Sequence, residues 1–238
     1  MMSTEQNTTR TESAAAVVRL QAIWDETLRD QPETGARVIA RYAEPQRRYH
    51  TVEHLAAVQD RITEFATADH DVFLVRLAGF YHDAIYDIPS RELTNEEASA
   101  RQSRRDLGRA GLEQEDLNEV ARLIRLTATH VPGSRDQNGE LLCDADLAVL
   151  GGSPEAYAQY VAQVTAEYAH LPRLDFVRGR FQILRELASR DLFFTPRGRS
   201  LNGRARFNLV AECRQLVAEL RAAGVSPDDI GPVPGSTS

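Results

Sequence analysis

Two short stretches of the chain concentrate side chains able to do chemistry. Tyr49-His50-Thr51-Val52-Glu53-His54 holds two histidines four residues apart, and Tyr81-His82-Asp83 sets a third beside a carboxylate. On one helical turn, His50 and His54 would project from the same face and address one small volume; by itself the pair more often reads as two partly exposed histidines. His82 and Asp83 follow the apolar run Val72 to Phe80, so they close a core helix. Adjacent helical residues diverge by about 100°, yet a cation beside the helix is within reach of both because the imidazole is the longer side chain. The other reading of the dyad is a histidine hydrogen-bonded in the core beside a capping aspartate. Farther on comes Asp144-Ala145-Asp146. Two residues apart on a helix is about 200°, so only one of these aspartates faces a given ion, and helical phasing leaves open which.

The elements that must position these groups read as helices. Ala16, Leu20, Trp24 and Leu28 recur every four residues, and Leu55, Val58, Ile62 and Phe65 alternate threes and fours. Val120, Leu123 and Thr127 continue the pattern, as do Leu174, Val177, Phe181, Leu184 and Ala188, then Leu209, Cys213, Leu216 and Leu220. No alternating strand and no repeat stands out, so the expected class is all-α. Pro45 closes an early helix, Pro89-Ser90 separates two more, and Pro132-Gly133-Ser134 stops one ending near His130. Thr94 followed by Glu97 has capping-box spacing. Val131 to Glu140 reads as a polar loop, Gly151-Gly152-Ser153-Pro154 as a break, and Thr195 to Gly203 as a loop before the last helix. The composition places polar tails at 1–13 and 223–238 around one domain over 14–222.

The 238 residues carry 35 acidic against 28 basic side chains, a net charge of −7 that argues against broad attraction to nucleic acid or an anionic membrane. All 28 basic residues are arginine. Without lysine, a P-loop lysine, a Schiff-base lysine and a pyridoxal-phosphate anchor are excluded. Cys143 and Cys213 make neither a disulfide framework nor a zinc cluster. No apolar run approaches a membrane span and no signal sequence stands at the start, so the expected compartment is the cytoplasm.

Taken in order, the motifs resemble the HD superfamily of metal-dependent phosphohydrolases, and more closely a bacterial subgroup of predicted HD phosphohydrolases. The matching pieces are Arg48-Tyr49-His50-x-x-x-His54, Phe80-Tyr81-His82-Asp83, Asn95-Glu96 with Ser99-Ala100, Thr127-x-x-His130, and Asp144-Ala145-Asp146-Leu147 leading to Leu150-Gly151. A C-terminal pattern of Ala205, Arg206, Asn208 and Leu209 joins them, so the resemblance runs from about Trp24 to Leu220. It implies a compact helical HD bundle with a metal site in its core, held by His54, His82, Asp83 and Asp146. It also implies His50 as general acid, with Asp83 beside it in the catalytic set. His130, Arg48, Glu96 and Asp144 are candidates for the substrate or a second ion, His130 equally for capping a helix end. Glu96 reads equally as a carboxylate stabilising a helix N-terminus.

Two imidazoles and two carboxylates form a mixed N/O site suited to Mn²⁺, Fe²⁺, Zn²⁺, Co²⁺ or Ni²⁺, with Mg²⁺ a further option and Ca²⁺ disfavoured. Such an ion lowers the pKa of a water from about 15.7 towards 7 and neutralises phosphoryl charge. An imidazole with pKa near 6.5 is matched to protonate the leaving oxygen, and arginines near the motifs, namely Arg47, Arg48, Arg125, Arg204 and Arg206, suit phosphate oxygens, although any one of them more often reads as a solvated surface charge. The expected function is hydrolysis of a phosphomonoester or phosphodiester of a nucleotide or similar small metabolite, with no membrane and no stable nucleic-acid complex. The alternative is an HD-scaffold metal- or nucleotide-binding regulatory module with little turnover.

Overall fold

A computed structural model describes residues 2–90, 92–226, 229 and 231, with side chains from residue 11 onward. Among the described residues there are ten α-helices and no strand: α1 (Met2–Thr27), α2 (Pro32–Arg41), α3 (Val52–Phe65), α4 (Val72–Tyr81), α5 (Asn95–Arg109), α6 (Gln114–Leu126), α7 (Gln137–Leu147), α8 (Pro154–Glu167), α9 (Arg173–Leu187) and α10 (Asn202–Ala222). The class is all-α. No helix among these residues is long and apolar enough to cross a membrane. The chain falls into two compact units, residues 1–146 and 147–238. Residues 2–13, expected in a tail, lie within α1; no proline or glycine occurs before Pro32 to interrupt it. Of the expected C-terminal tail, residues 227, 228, 230 and 232–238 lie outside the described residues.

In the first unit Leu20 and Trp24 of α1 are wholly buried. The Trp24 indole donates to the Gln31 carbonyl (2.8 Å) and meets Phe80 of α4 edge-on, centroids 5.0 Å apart. A Cβ at Gly35 would come 2.3 Å from that indole, so glycine is what lets α2 close over it. Asp71 caps α4 by accepting from the Leu74 amide, and the helix, apolar except for Arg76, buries seven of its residues, Leu74, Val75 and Leu77 to Tyr81. Gly79 lets α3 approach: a Cβ there would lie 2.9 Å from both Gln59 Nε2 and Ile62 Cδ1. The two helices run antiparallel, so the first turn of α3 stands beside the end of α4.

Thr94 caps α5, accepting from the Glu97 amide, and Glu97 reaches Arg125 of α6 at 2.6 Å. The helix expected to end near His130 stops at Leu126, and the residues after it turn, His130 N–H donating to the Leu126 carbonyl. The expected loop from Val131 to Glu140 is also shorter, because Asp136 starts α7: its carboxylate accepts from the Gly139 amide and from Arg122 Nη1 and Nη2 at 2.7 and 2.8 Å. A cap, rather than apolar spacing, sets that boundary.

The second unit is built on a buried polar network. Glu212 of α10 accepts from Arg180 of α9 at 2.9 and 3.2 Å and from the Tyr157 hydroxyl of α8 at 2.5 Å, while Arg180 also donates to Tyr160. Asn208 donates to the Leu150 and Gly152 carbonyls, satisfying the turn at Ala148–Gly151. In the Ala205 to Leu209 motif, then, Ala205, Asn208 and Leu209 are buried framework and Arg206 is exposed. Removing one partner of a buried ion pair leaves the other charge uncompensated. Glu212→Ala is therefore expected to lower stability to urea by about 3–5 kcal/mol, against about 0–1 kcal/mol for Arg173→Ala, which breaks only the exposed Arg173–Glu219 pair. Circular dichroism of the two variants measures the difference.

Candidate metal centre

Three separate elements of the first unit deliver one cluster. His54 occupies the first turn of α3, His82 is the residue on which α4 ends, and Asp146 is the penultimate residue of α7. His54 Nε2 and His82 Nε2 lie 3.2 Å apart, with Asp146 Oδ1 at 3.3 Å from the first and 3.5 Å from the second. Asp83 Oδ2 flanks them, 3.0 Å from His82 and 3.7 Å from His54. The imidazoles are buried, at 4% and 1% side-chain exposure, and the carboxylates are more open, at 15% and 13%.

This arrangement fits a cation. His82 Nδ1–H donates to the Gly79 carbonyl at 2.8 Å, which turns the lone pair of the neutral ring, on Nε2, towards the cluster. Two facing ring nitrogens cannot both stay bare; either a proton or a metal must lie between the donors. Metal bonds of about 2.1 Å at tetrahedral or right angles separate neighbouring ligand atoms by about 3.0–3.4 Å, the scale of the spacings seen here. His54, His82 and Asp146 thus form a group able to hold a metal ion.

The other expected site residues fall as follows. His50 precedes α3, whose N-cap is Thr51, so the two histidines do not share a helical turn; the chain before Thr51 instead brings His50 Nε2 to 3.8 Å from Asp83 Oδ2. His130 adopts φ 51°, a left-handed conformation that costs a non-glycine residue about 1–2 kcal/mol, and its Nε2 donates to Asp146 Oδ2 at 2.8 Å. It holds the carboxylate on the side away from His54 and His82. Asp144 is fully buried on another face of α7, and Glu96 stands in the first turn of α5. Arg48 is exposed and donates to the Pro45 and Arg47 carbonyls. Arg125 is paired with Glu97.

Arg47, grouped by sequence with the phosphate-binding arginines, is buried and donates to carbonyls instead. Side chains satisfy much of the backbone leaving α4. Tyr42 hydroxyl donates to the Phe80 carbonyl and accepts from the Asp83 amide; Arg41 donates to the Ala84 carbonyl; Ser99 accepts from the Ile85 amide; Asn95 pairs with both backbone groups of Asp87. Burial pushes the Tyr42 phenol up to about 12, so it stays a donor. No sequence signal separated Arg47 from its exposed neighbour Arg48, or Tyr42 from other tyrosines.

The cluster is electrostatically self-consistent without a metal. Burial alone would strip the proton from His82, but Asp83 and Asp146 hold it on, leaving its pKa well above the ordinary 6.5. His54 follows: burial opposes the proton, and hydrogen bonds to Asp146 and Asp83 raise it. Burial would raise Asp83 and Asp146, yet His82 and the surrounding imidazoles push both well below 3.8. The histidine contribution to stability is therefore complete below 6.5 and lost as pH rises through the folded values. The carboxylate contribution is complete above 3.8 and lost as pH falls through the folded values. Chelator-stripped protein is expected to show its highest thermal midpoint between these two ordinary values and to lose stability above them. A divalent cation competes for the same lone pairs, so its binding should release protons and restore stability at alkaline pH. Calorimetric titration in buffers of different ionisation enthalpy measures that release. No family model, no curated protein and no solved structure matches the chain.

Proposed function

We propose that the chain is an HD-type metal-dependent phosphohydrolase, acting on a phosphomonoester or phosphodiester of a nucleotide or similar small metabolite. The observation that carries this reading is the meeting of His54, His82 and Asp146, from α3, α4 and α7, within 3.5 Å of one another, with Asp83 at its side. The order of these residues along the chain is that of the HD superfamily, to which the motifs bear their resemblance.

His54, His82, Asp83 and Asp146 would hold the ion, Mn²⁺, Fe²⁺, Zn²⁺, Co²⁺ or Ni²⁺ suiting the mixed donors best. A divalent cation there supplies Lewis acidity, acidifying water and neutralising phosphoryl charge. His130 orients Asp146 through its 2.8 Å hydrogen bond, leaving Oδ1 for the ion. His50 stands at the more open edge, beside Asp83 rather than among the buried donors, and there delivers a proton to the leaving oxygen. With Arg47 buried and Arg125 paired to Glu97, neither is placed to bind phosphate, and the cation itself offsets phosphoryl charge.

Protein purified without chelator is expected to contain a divalent transition metal by elemental analysis and to hydrolyse members of a phosphate-ester panel supplied with Mn²⁺, Co²⁺, Ni²⁺ or Mg²⁺. His82→Ala and Asp146→Asn should lose both metal and turnover. His50→Ala should keep the metal and slow turnover about 10²- to 10⁴-fold; loss of the ion would make His50 a ligand instead. Native-rate hydrolysis by metal-free His82→Ala would sink the hydrolase reading. Metal retained in native protein with no turnover of any ester would favour a binding module.

A further inference from the structure

His50 lies before the N-cap of α3, so no helical ladder holds its backbone, yet proton delivery requires a ring fixed to within a fraction of an ångström. One buried group reaches both sides of this problem. The Arg47 side chain has 0% exposure, and a guanidinium taken out of water is tolerated only when its donors are used. Nη1 donates to the Asp83 carbonyl at 2.8 Å and to the His50 carbonyl at 3.1 Å, Nη2 to the Ala84 carbonyl at 3.3 Å, and Nε to Glu44 at 3.3 Å. The same guanidinium sits 5.1 Å from the Tyr42 ring centroid and 5.6 Å from that of Tyr86. Tyr86 in turn stacks on the His50 imidazole, centroids 4.0 Å apart and planes 29° from parallel.

We infer that Arg47 and Tyr86 are positioning residues that together aim the His50 ring at the Asp83 carboxylate, Arg47 through the two main chains it joins and Tyr86 through the ring it supports. The inference rests on the assignment of His50 to proton delivery. A planar fork is needed for this work. Lysine, a flexible point charge, cannot serve three carbonyls in fixed directions while lying against two rings. Tyr86 is half-buried, and replacing it leaves the three carbonyls, Glu44 and the Tyr42 ring that also hold the guanidinium.

The test compares R47K and Y86L with native protein labelled with ¹³C at histidine, the His50 ring resonances being identified by their loss in H50A. In native protein His50 should give one sharp set of ring signals. In both variants those signals should split or broaden, while the His54 and His82 rings stay sharp. In the same variants kcat should fall about 10- to 100-fold with KM little changed, a split that general destabilisation would not produce at temperatures where both are folded. A single sharp His50 set in both variants would overturn the inference. If R47K does not fold, Y86L alone decides. If native protein hydrolyses no ester, the hydrolase reading falls, and the His50 ring signals still decide whether Arg47 and Tyr86 hold that ring.

Discussion

Two imidazoles and two carboxylates packed at separations of 3.0–3.7 Å are tolerable in a protein interior only because each charge is offset by its neighbours. Any one of them, alone at that depth, would neutralise or draw in water. The cluster therefore requires that three pieces of backbone arrive together, and much of the first unit can be understood as the means. Gly79 allows α3 and α4 to approach and also lends its carbonyl to His82. Trp24, seated over Gly35, packs against the end of α4 through Phe80. Arg122 grips Asp136 where α7 begins, ten residues before Asp146.

The end of α4 shows how an irregular backbone is made rigid. After His82 the chain has no regular hydrogen-bond ladder, and buried amides and carbonyls still need partners. Tyr42, Arg41, Arg47, Asn95 and Ser99 provide them from α2, the segment after it and α5. Asn95 and Ser99, which sequence alone associates only with a motif, thus have a plain physical role in holding residues 85–87 so that Asp83 keeps its direction. The second unit solves a different problem with similar means, Glu212 binding α8, α9 and α10 together through Arg180 and Tyr157.

Much of this protein was determined by sequence alone, because helical periodicity and residue chemistry are local properties. The spacing of Leu55, Val58, Ile62 and Phe65 defines a helix whatever surrounds it, Thr94 and Glu97 announce the start of α5, and the absence of lysine removes whole classes of chemistry. The residue types at 54, 82, 83 and 146 likewise state which donors are available. What sequence could not express is direction. Asp146 rather than Asp144 meets the imidazoles because packing sets the rotation of α7, both aspartates having apolar neighbours. His50 sits outside α3 because the first turn begins at Val52, and Arg47 is buried while Arg48 is exposed because the chain there wraps the end of α4. Those outcomes depend on contacts between residues 33 to 92 positions apart, which only the tertiary structure brings within a few ångströms.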